Sequence, residues 1–395
     1  MAKVQHSSPE MNDRFVVTPW SVEGNVDYEK MIEQFGTSPI TSEIIDRFRR
    51  LTGEVHPFLR RRIFYSHRDF DWILDRYEAG EKFALYTGRG PSGGVHLGHL
   101  IPWIFTKYLQ DKFGAELYFE MTDDEKYLNS QKLDLSETKK MAFEDMLDLI
   151  ALGFDAKKTF IFTDTGYIKT LYDIALKVAK HTTFSTAKAV FGFDNRTNIG
   201  MAFFPALQAS VCFLPSVLKG HNVPCLIPAA IDQDPYWRGI AREVAPKLGF
   251  YKPAQIHSKF MPGLGQGGKM SSSKPETAIF TTDSVEEVEK KVLRSFTGGR
   301  ATVEEQRKLG GQPDICPVYH YYNFMFEEDD NELKRIHDDC ETGRLLCGDC
   351  KVMLASRVKR FIADFQEKRD KAREMIDEFV VEDASGGVRK RSETH

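Results

Sequence analysis

The stretch Tyr86-Thr87-Gly88-Arg89-Gly90-Pro91-Ser92-Gly93-Gly94-Val95-His96-Leu97-Gly98-His99 constrains this chain more than any other. It follows the apolar run Phe83-Ala84-Leu85 and opens onto the helix-like stretch Leu100 to Phe113, so it reads as strand, flexible loop and helix start. Glycines between Gly88 and Gly94 let backbone amides approach an anion, because no Cβ stands in the way and positive φ angles are cheap. A helix N-terminus adds a partial positive charge, which makes phosphate the natural ligand. The loop lacks the Gly-Lys-Ser/Thr ending of a P-loop and the spaced glycines of a dinucleotide fingerprint. It offers instead His96-x-Gly98-His99, two imidazoles three residues apart that share one helix face. Alone, that pair is equally compatible with satisfied turn histidines.

Beyond Phe83, β-rich runs alternate with helical patterns: Ala115 to Met121, Thr159 to Thr163 and Cys225 to Ile231 as strands, Ser136 to Leu152 and Ile168 to Lys180 as helices. That alternation predicts an α/β fold, a parallel sheet with helices on both faces, and a ligand at the carboxyl ends of the strands. Before it, residues 1–80 read as an N-terminal extension with a hairpin around Phe15 to Val22 and a helix from Thr41 to Leu51. The cluster Arg60, Arg61, Arg62 and Arg68 reads as solvated surface, with RNA contact as the alternative. Residues 81–282 form the sheet domain. After it the strand signal fades, and 283–296, 302–309, 331–339 and 351–379 predict a separate helical domain over 283–380, followed by a disordered tail, 381–395.

The 395 residues carry a net charge of -4, so any nucleic-acid contact must rest on a local basic surface. Met1 to Arg14 lacks a secretory pattern, and the uncharged Ile199 to Leu218 contains Pro205, Pro215 and Gln208. It reads as a buried helix with a polar residue directed into a pocket, and the chain as cytoplasmic with no membrane partner. Six cysteines then imply reduced thiols or metal ligands.

The second signal is Gly267-Gly268-Lys269-Met270-Ser271-Ser272-Ser273-Lys274, a loop able to close a cation over phosphates. Paired with His96-x-Gly98-His99, it resembles the two signature motifs of class I aminoacyl-tRNA synthetases. Ala230-Ile231-Asp232-Gln233-Asp234-Pro235-Tyr236-Trp237-Arg238 narrows this to the tryptophanyl-tRNA synthetase family, and Met121-Thr122-Asp123-Asp124-Glu125-Lys126 to its eukaryotic and archaeal branch. The resemblance runs from about Phe15 to Phe379.

The resemblance implies a Rossmann-like catalytic domain, an anticodon-binding helical domain and a homodimer that takes ATP with Mg²⁺, L-tryptophan and tRNA(Trp), without DNA. His96, His99, Lys269 and Ser271 would be catalytic, donating to the phosphates and closing on pyrophosphate. Arg89, Gly90, Gly98, Asp232 and Met270 would hold ATP, with Gly98 leaving room for adenine and Asp232 near the ribose. Tyr86, Gly88, Glu120, Glu125, Gln208 and Gln233 would hold tryptophan. Glu120 departs from the branch, which usually has glutamine there. A buried carboxylate near Glu125 is expected to repel it and to be partly protonated.

Cys316, Cys340, Cys347 and Cys350 gather four of the six cysteines. Thiolates suit Zn²⁺ or an iron–sulfur cluster, with free thiols the default, and His337 is a substitute zinc ligand. Some members of the family carry a [4Fe–4S] cluster on a closely similar spacing, with one residue fewer in the first gap. Gly310 to Asp314 resembles an anticodon-contacting loop, and Arg357, Lys359 and Arg360 would meet phosphates. The rival readings are a tyrosyl-tRNA synthetase, a catalytically silent RNA-binding paralogue and a nucleotidyl-transferring enzyme unrelated to tRNA.

Overall fold

A computed structural model describes residues 27–384, together with the backbone of 16–17, 22–23 and 387–390. The stretch Met1 to Arg14 and residues 391–395 lie outside the described residues.

Seven strands build the main sheet: β1 Ser38–Pro39, β2 Phe64–Arg68, β3 Ala84–Arg89, β4 Glu116–Met121, β5 Thr159–Thr163, β6 Cys225–Ala230 and β7 Ala254–Ser258, in spatial order β1-β2-β7-β6-β3-β4-β5. The five strands β7-β6-β3-β4-β5 are parallel, and β1 and β2 add antiparallel to the β7 edge. The N-terminal extension is therefore continuous with the sheet. The expected hairpin pairs Val16–Val17 with Val22–Glu23.

The helices that matter for the site are α1 Tyr28–Phe35, α2 Ser42–Thr52, α3 Leu97–Phe113, α4 Leu135–Ala151, α5 Ile168–Lys180, α6 Ile199–Ser210, α7 Val285–Arg294, α8 Val303–Leu309, α9 Asp330–Glu341 and α10 Cys347–Met375. Their ends follow local chemistry. Thr41 caps α2, Asp134 and Glu137 form a reciprocal capping box on α4, and Gly114 in the left-handed region closes α3. Strand alternation then builds a core on each face. Leu85, Leu117 and Ile161 face one side, and Ala84, Tyr86, Tyr118 and Phe162 the other. The uncharged stretch after Asn198 splits into α6 and a short helix, Leu214–Lys219. Among the described residues, no helix is long and apolar enough to cross a membrane.

Two expectations are corrected here. The tail is ordered at its start: Val381–Ala384 pairs antiparallel with Gly387–Lys390. Asp383 caps α5, accepting from the Lys169 and Thr170 amides at 2.6 and 3.1 Å. An unsatisfied helix N-terminus is what makes this segment settle there. Second, within the basic cluster Arg61 and Arg68 are not solvated surface, whereas Arg60 and Arg62 remain exposed. The Arg61 side chain is only 7% exposed and donates to the Asn323, Glu327 and Glu328 carbonyls and to Asp330, all between 2.6 and 3.0 Å. Arg60 shares Asp330 at 2.9 Å. These arginines fasten the N-terminal region to the helical region, whose core is one with that of the sheet.

Arg61→Ala leaves the partly buried Asn323 and Glu327 carbonyls without this donor, and is expected to lower stability by about 1–3 kcal/mol. Urea unfolding followed by circular dichroism checks this, and an unchanged midpoint refutes it.

Candidate active site

At the carboxyl ends of β3, β4 and β6 lies a cavity of about 500 Å³. Tyr86, Gly88, Arg89 and Gly90 reach it from β3 and its loop, His96, Gly98 and His99 from the start of α3, and Glu120 and Glu125 from β4 and the turn beyond. Gln208 comes from α6, Asp232 and Gln233 from the turn after β6, and Lys269, Met270 and Ser271 from the loop after β7. All fifteen residues predicted for catalysis, ATP and tryptophan line this one space. Trp237, Tyr236, Phe204, Phe260 and Lys126 line it as well, without having been singled out from the sequence. Phe204, four residues before Gln208 on one helix face, was findable from helical spacing.

The glycines work differently from expectation. In the loop, only Gly93 takes a positive φ, +125°. Gly88 is required by close approach, because a Cβ there would stand 2.7 Å from the Glu120 carbonyl oxygen, and one at Gly90 would stand 2.3 Å from Lys126 Cε. Arg89 braces the loop, donating to Asp145 at 2.6 Å and to the Gly93 and Gly94 carbonyls at 2.7 and 3.2 Å. Its guanidinium is thus committed within the protein.

The helix start is also partly spent. His96 N donates to His99 Nδ1 at 3.1 Å, and Leu97 N to the Ile279 carbonyl at 3.0 Å. The two imidazoles stack with centroids 3.6 Å apart. Burial, then the Arg89 charge, lowers both: His96 to about 3 and His99 well below the ordinary value. Both rings are therefore neutral. Because His99 Nδ1 is an acceptor, its proton sits on Nε2, and the buried His96 Nδ1 has no partner.

Lys269 brings a positive charge to the cavity on a glycine-bearing loop, beside Lys126 and Lys259. Its loop folds back through the Pro262–Lys269 bridge, with Gly267 and Gly268 at positive φ, and Nζ lies 3.2 Å from Asp232 and 5.0 Å from the centre of the Phe260 ring. Burial raises Asp232, and the lysine opposes that rise.

The floor of the cavity is acidic. Tyr86 OH donates to Glu120 Oε2, while the buried Oε1 has no partner. Burial raises Glu120 to about 8, helped by the negative fields of Asp124 and Asp123. Burial also raises Asp164, and the negative fields of Glu120 and Asp124 add to the rise. The expected repulsion from Glu125 is corrected: Glu125 is paired to Lys126 Nζ at 2.9 Å, and the carboxyls that face Glu120 are Asp124 and Asp164.

Residues 78–363 match the family described as "tRNA synthetases class I (W and Y)". The chain is 51% identical over 369 residues to a tryptophan–tRNA ligase of Pyrobaculum calidifontis, spanning 93% of this chain and 98% of that relative. The chain belongs to the tryptophanyl-tRNA synthetases of class I. A Thermococcus onnurineus tryptophan–tRNA ligase is 52% identical over 93% of this synthetase and 94% of its own length. The solved tryptophanyl-tRNA synthetase of Plasmodium falciparum superposes with a TM-score of 0.85 at 40% identity, covering 90% of this chain and 97% of that one.

Away from the cavity, the four cysteines converge. Cys316 precedes the helix Pro317–Tyr321, Cys340 ends α9, and Cys347 and Cys350 occupy the first turn of α10. Burial and the neighbouring thiols raise Cys340 to about 11 and Cys350 to about 12. Gly299 and Gly311 close over the sulfurs: a Cβ would come to 2.7 Å from Cys347 Sγ and 2.8 Å from Cys340 Sγ. His337 instead gathers with Asp338 and Glu341. Arg357 and Lys359 are engaged with Glu327 and Glu289 at 2.5 and 2.8 Å, leaving Arg360 exposed.

Glu120 is more acidic in the unfolded chain than in the folded one, so the folded state retains a proton between pH of about 4.5 and about 8. Stability therefore falls as pH rises through that window. Glu120→Gln removes the group, and its thermal midpoint is expected to gain on the parent protein steadily from about pH 5 to about pH 8. A pH-independent difference refutes the assignment.

Proposed function

We propose that this synthetase activates L-tryptophan with ATP, releasing pyrophosphate, and transfers it to tRNA(Trp) in the cytoplasm. The observation that carries the reading is the meeting of both signature loops with Glu120, Glu125, Gln208 and Gln233 around one cavity. The tryptophan carboxylate attacks the α-phosphate of ATP and pyrophosphate leaves, so the protein's task is positioning and charge stabilisation. His99 Nε2–H and the His96 ring would donate to phosphate oxygens. Lys269 releases Asp232 and follows the negative charge on to pyrophosphate, with Ser271 two residues on. Mg²⁺ arriving with ATP would add charge neutralisation to these donors, and a metal bound through the nucleotide's phosphates would need no carboxylate cage from the protein.

On the amino-acid side, the Glu125 carboxylate receives the substrate ammonium in exchange for Lys126. Tyr86 and Glu120 meet the indole, whose N–H gives the orphaned Glu120 Oε1 a donor and so favours the ionised carboxylate when the amino acid is bound. Trp237 and Tyr236 supply aromatic wall.

The thiol group fits a metal centre. Tetrahedral zinc, with Zn–S bonds of about 2.3 Å, draws its sulfurs to within about 4 Å of one another. The group read here is an iron–sulfur cluster, which Cys316, Cys340, Cys347 and Cys350 would hold. Such a cluster would cross-link the loop Gly310 to Asp314 to the start of α10, where the anticodon is read. Exposed apolar side chains on neighbouring helices, Tyr172 and Leu176 on α5 and Ile199 on α6, support a homodimer.

ATP–pyrophosphate exchange with tryptophan, tyrosine and phenylalanine tests the function: exchange with tryptophan alone is expected, and a preference for tyrosine overturns it. Lys269→Ala should lower the exchange rate about 10²–10³-fold with little change in tryptophan affinity measured by calorimetry. Cys347→Ser should lower iron and labile sulfide per chain and reduce tRNA charging more than exchange. Equal losses in both activities, with no metal in the parent protein, refute the cluster.

A further inference from the structure

The turn carrying Asp232 and Gln233 is fixed from behind. Asp234 follows it, yet its fully buried carboxylate is turned away from the cavity that Asp232, Gln233 and Trp237 line. There it meets Arg68, the last residue of β2. Nε and Nη2 of the guanidinium both donate to the Asp234 carboxylate, the second at 3.0 Å. His257 Nε2 and Arg238 Nε face the same carboxylate at 3.6 Å.

Arg68 is itself immobilised. Nη1 donates to the Gly36 carbonyl at 2.8 Å and Nη2 to the Phe35 carbonyl, at the C-terminal end of α1 where a cation is favoured. α1 in turn touches the cavity wall: Tyr28 OH accepts from the Phe260 amide at 3.0 Å, and the Phe260 ring lies beneath the Lys269 ammonium. One guanidinium thus joins α1, the antiparallel edge of the sheet and the turn after β6. Two forked donors to a carboxylate, with further donors to main-chain carbonyls, are a geometry that arginine meets and lysine meets only in part.

We propose that Arg68 is a positioning residue for amino-acid activation: by clamping Asp234 from behind, it holds the turn at which Gln233 meets the amino acid and Asp232 meets Lys269. This rests on the activation reading above. Arg68 touches neither substrate; it acts through Asp234.

The test compares the parent protein with Arg68→Ala and Arg68→Lys as full chains, measuring KM for tryptophan, KM for ATP and the maximal exchange rate, with thermal midpoints alongside. Arg68→Ala is expected to lower kcat/KM for tryptophan by about ten- to a hundredfold, chiefly through KM. Arg68→Lys, which keeps the charge but not the fork, should fall between the two. A folded Arg68→Ala protein with parental KM values, or one that loses only active fraction, overturns the proposal. If the alanine variant does not fold, parental KM values for Arg68→Lys overturn it and a raised tryptophan KM supports it. A parent protein without tryptophan-dependent exchange overturns the activation reading and this proposal together. An active parent with indifferent variants overturns the proposal alone.

Discussion

The pairing of β3 with β4 is the interaction on which the rest of the site depends. In that register Gly88 stands opposite Glu120, at a separation no side chain on residue 88 would allow. The close approach fixes where the Tyr86 hydroxyl meets Glu120, where the chain leaves the sheet towards His96, and where the acidic turn after Met121 begins. Parallel strands bring their carboxyl ends to one edge. Each loop leaving that edge therefore faces the same space, however far apart the loops are in the chain.

Around that edge, charge is used for fastening as much as for binding. Arg89, Arg68 and Arg61 are spent inside the protein, on Asp145, on Asp234 and on the helical region. Each joins segments distant in sequence and satisfies carbonyls or carboxylates that burial would otherwise leave costly. The N-terminal region is accordingly a structural partner to both the sheet and the helical region. Its two strands extend the sheet, its first helix reaches the Lys269 loop through Tyr28, and its arginines hold the chain before α9.

Much of this was legible in the sequence because it is local. The helix Ile168–Lys180 shows its apolar stripe over the bounds found, and the two signature loops disclose their chemistry through residue type and spacing. What was hidden is pairwise and long-range. Nothing near Arg61 states that its partners are carbonyls more than 260 residues away. Nothing near Glu120 names Asp164 across the neighbouring strand as its companion. The basic cluster at residues 60–62 and the cations Arg357 and Lys359 look identical in sequence whether they face solvent or a buried acceptor. The ordered hairpin at Val381–Ala384 was likewise unreadable, since Asp383 gains its role from an unsatisfied helix start on a remote element.

The neutrality of the stacked histidines has a consequence for how nucleotide enters. A cleft with Glu120, Asp124, Asp164 and Asp232 in or behind its walls and uncharged imidazoles at its mouth is no preformed magnet for a polyphosphate. The attraction rests on the lysines that line the cavity, Lys126, Lys259 and the hinge-borne Lys269, and on the metal that travels with the nucleotide. Capture then resembles a latch more than a funnel: the nucleotide must draw Lys126 and Lys269 from the carboxylates that already hold them, and ionic strength acts on those exchanged pairs.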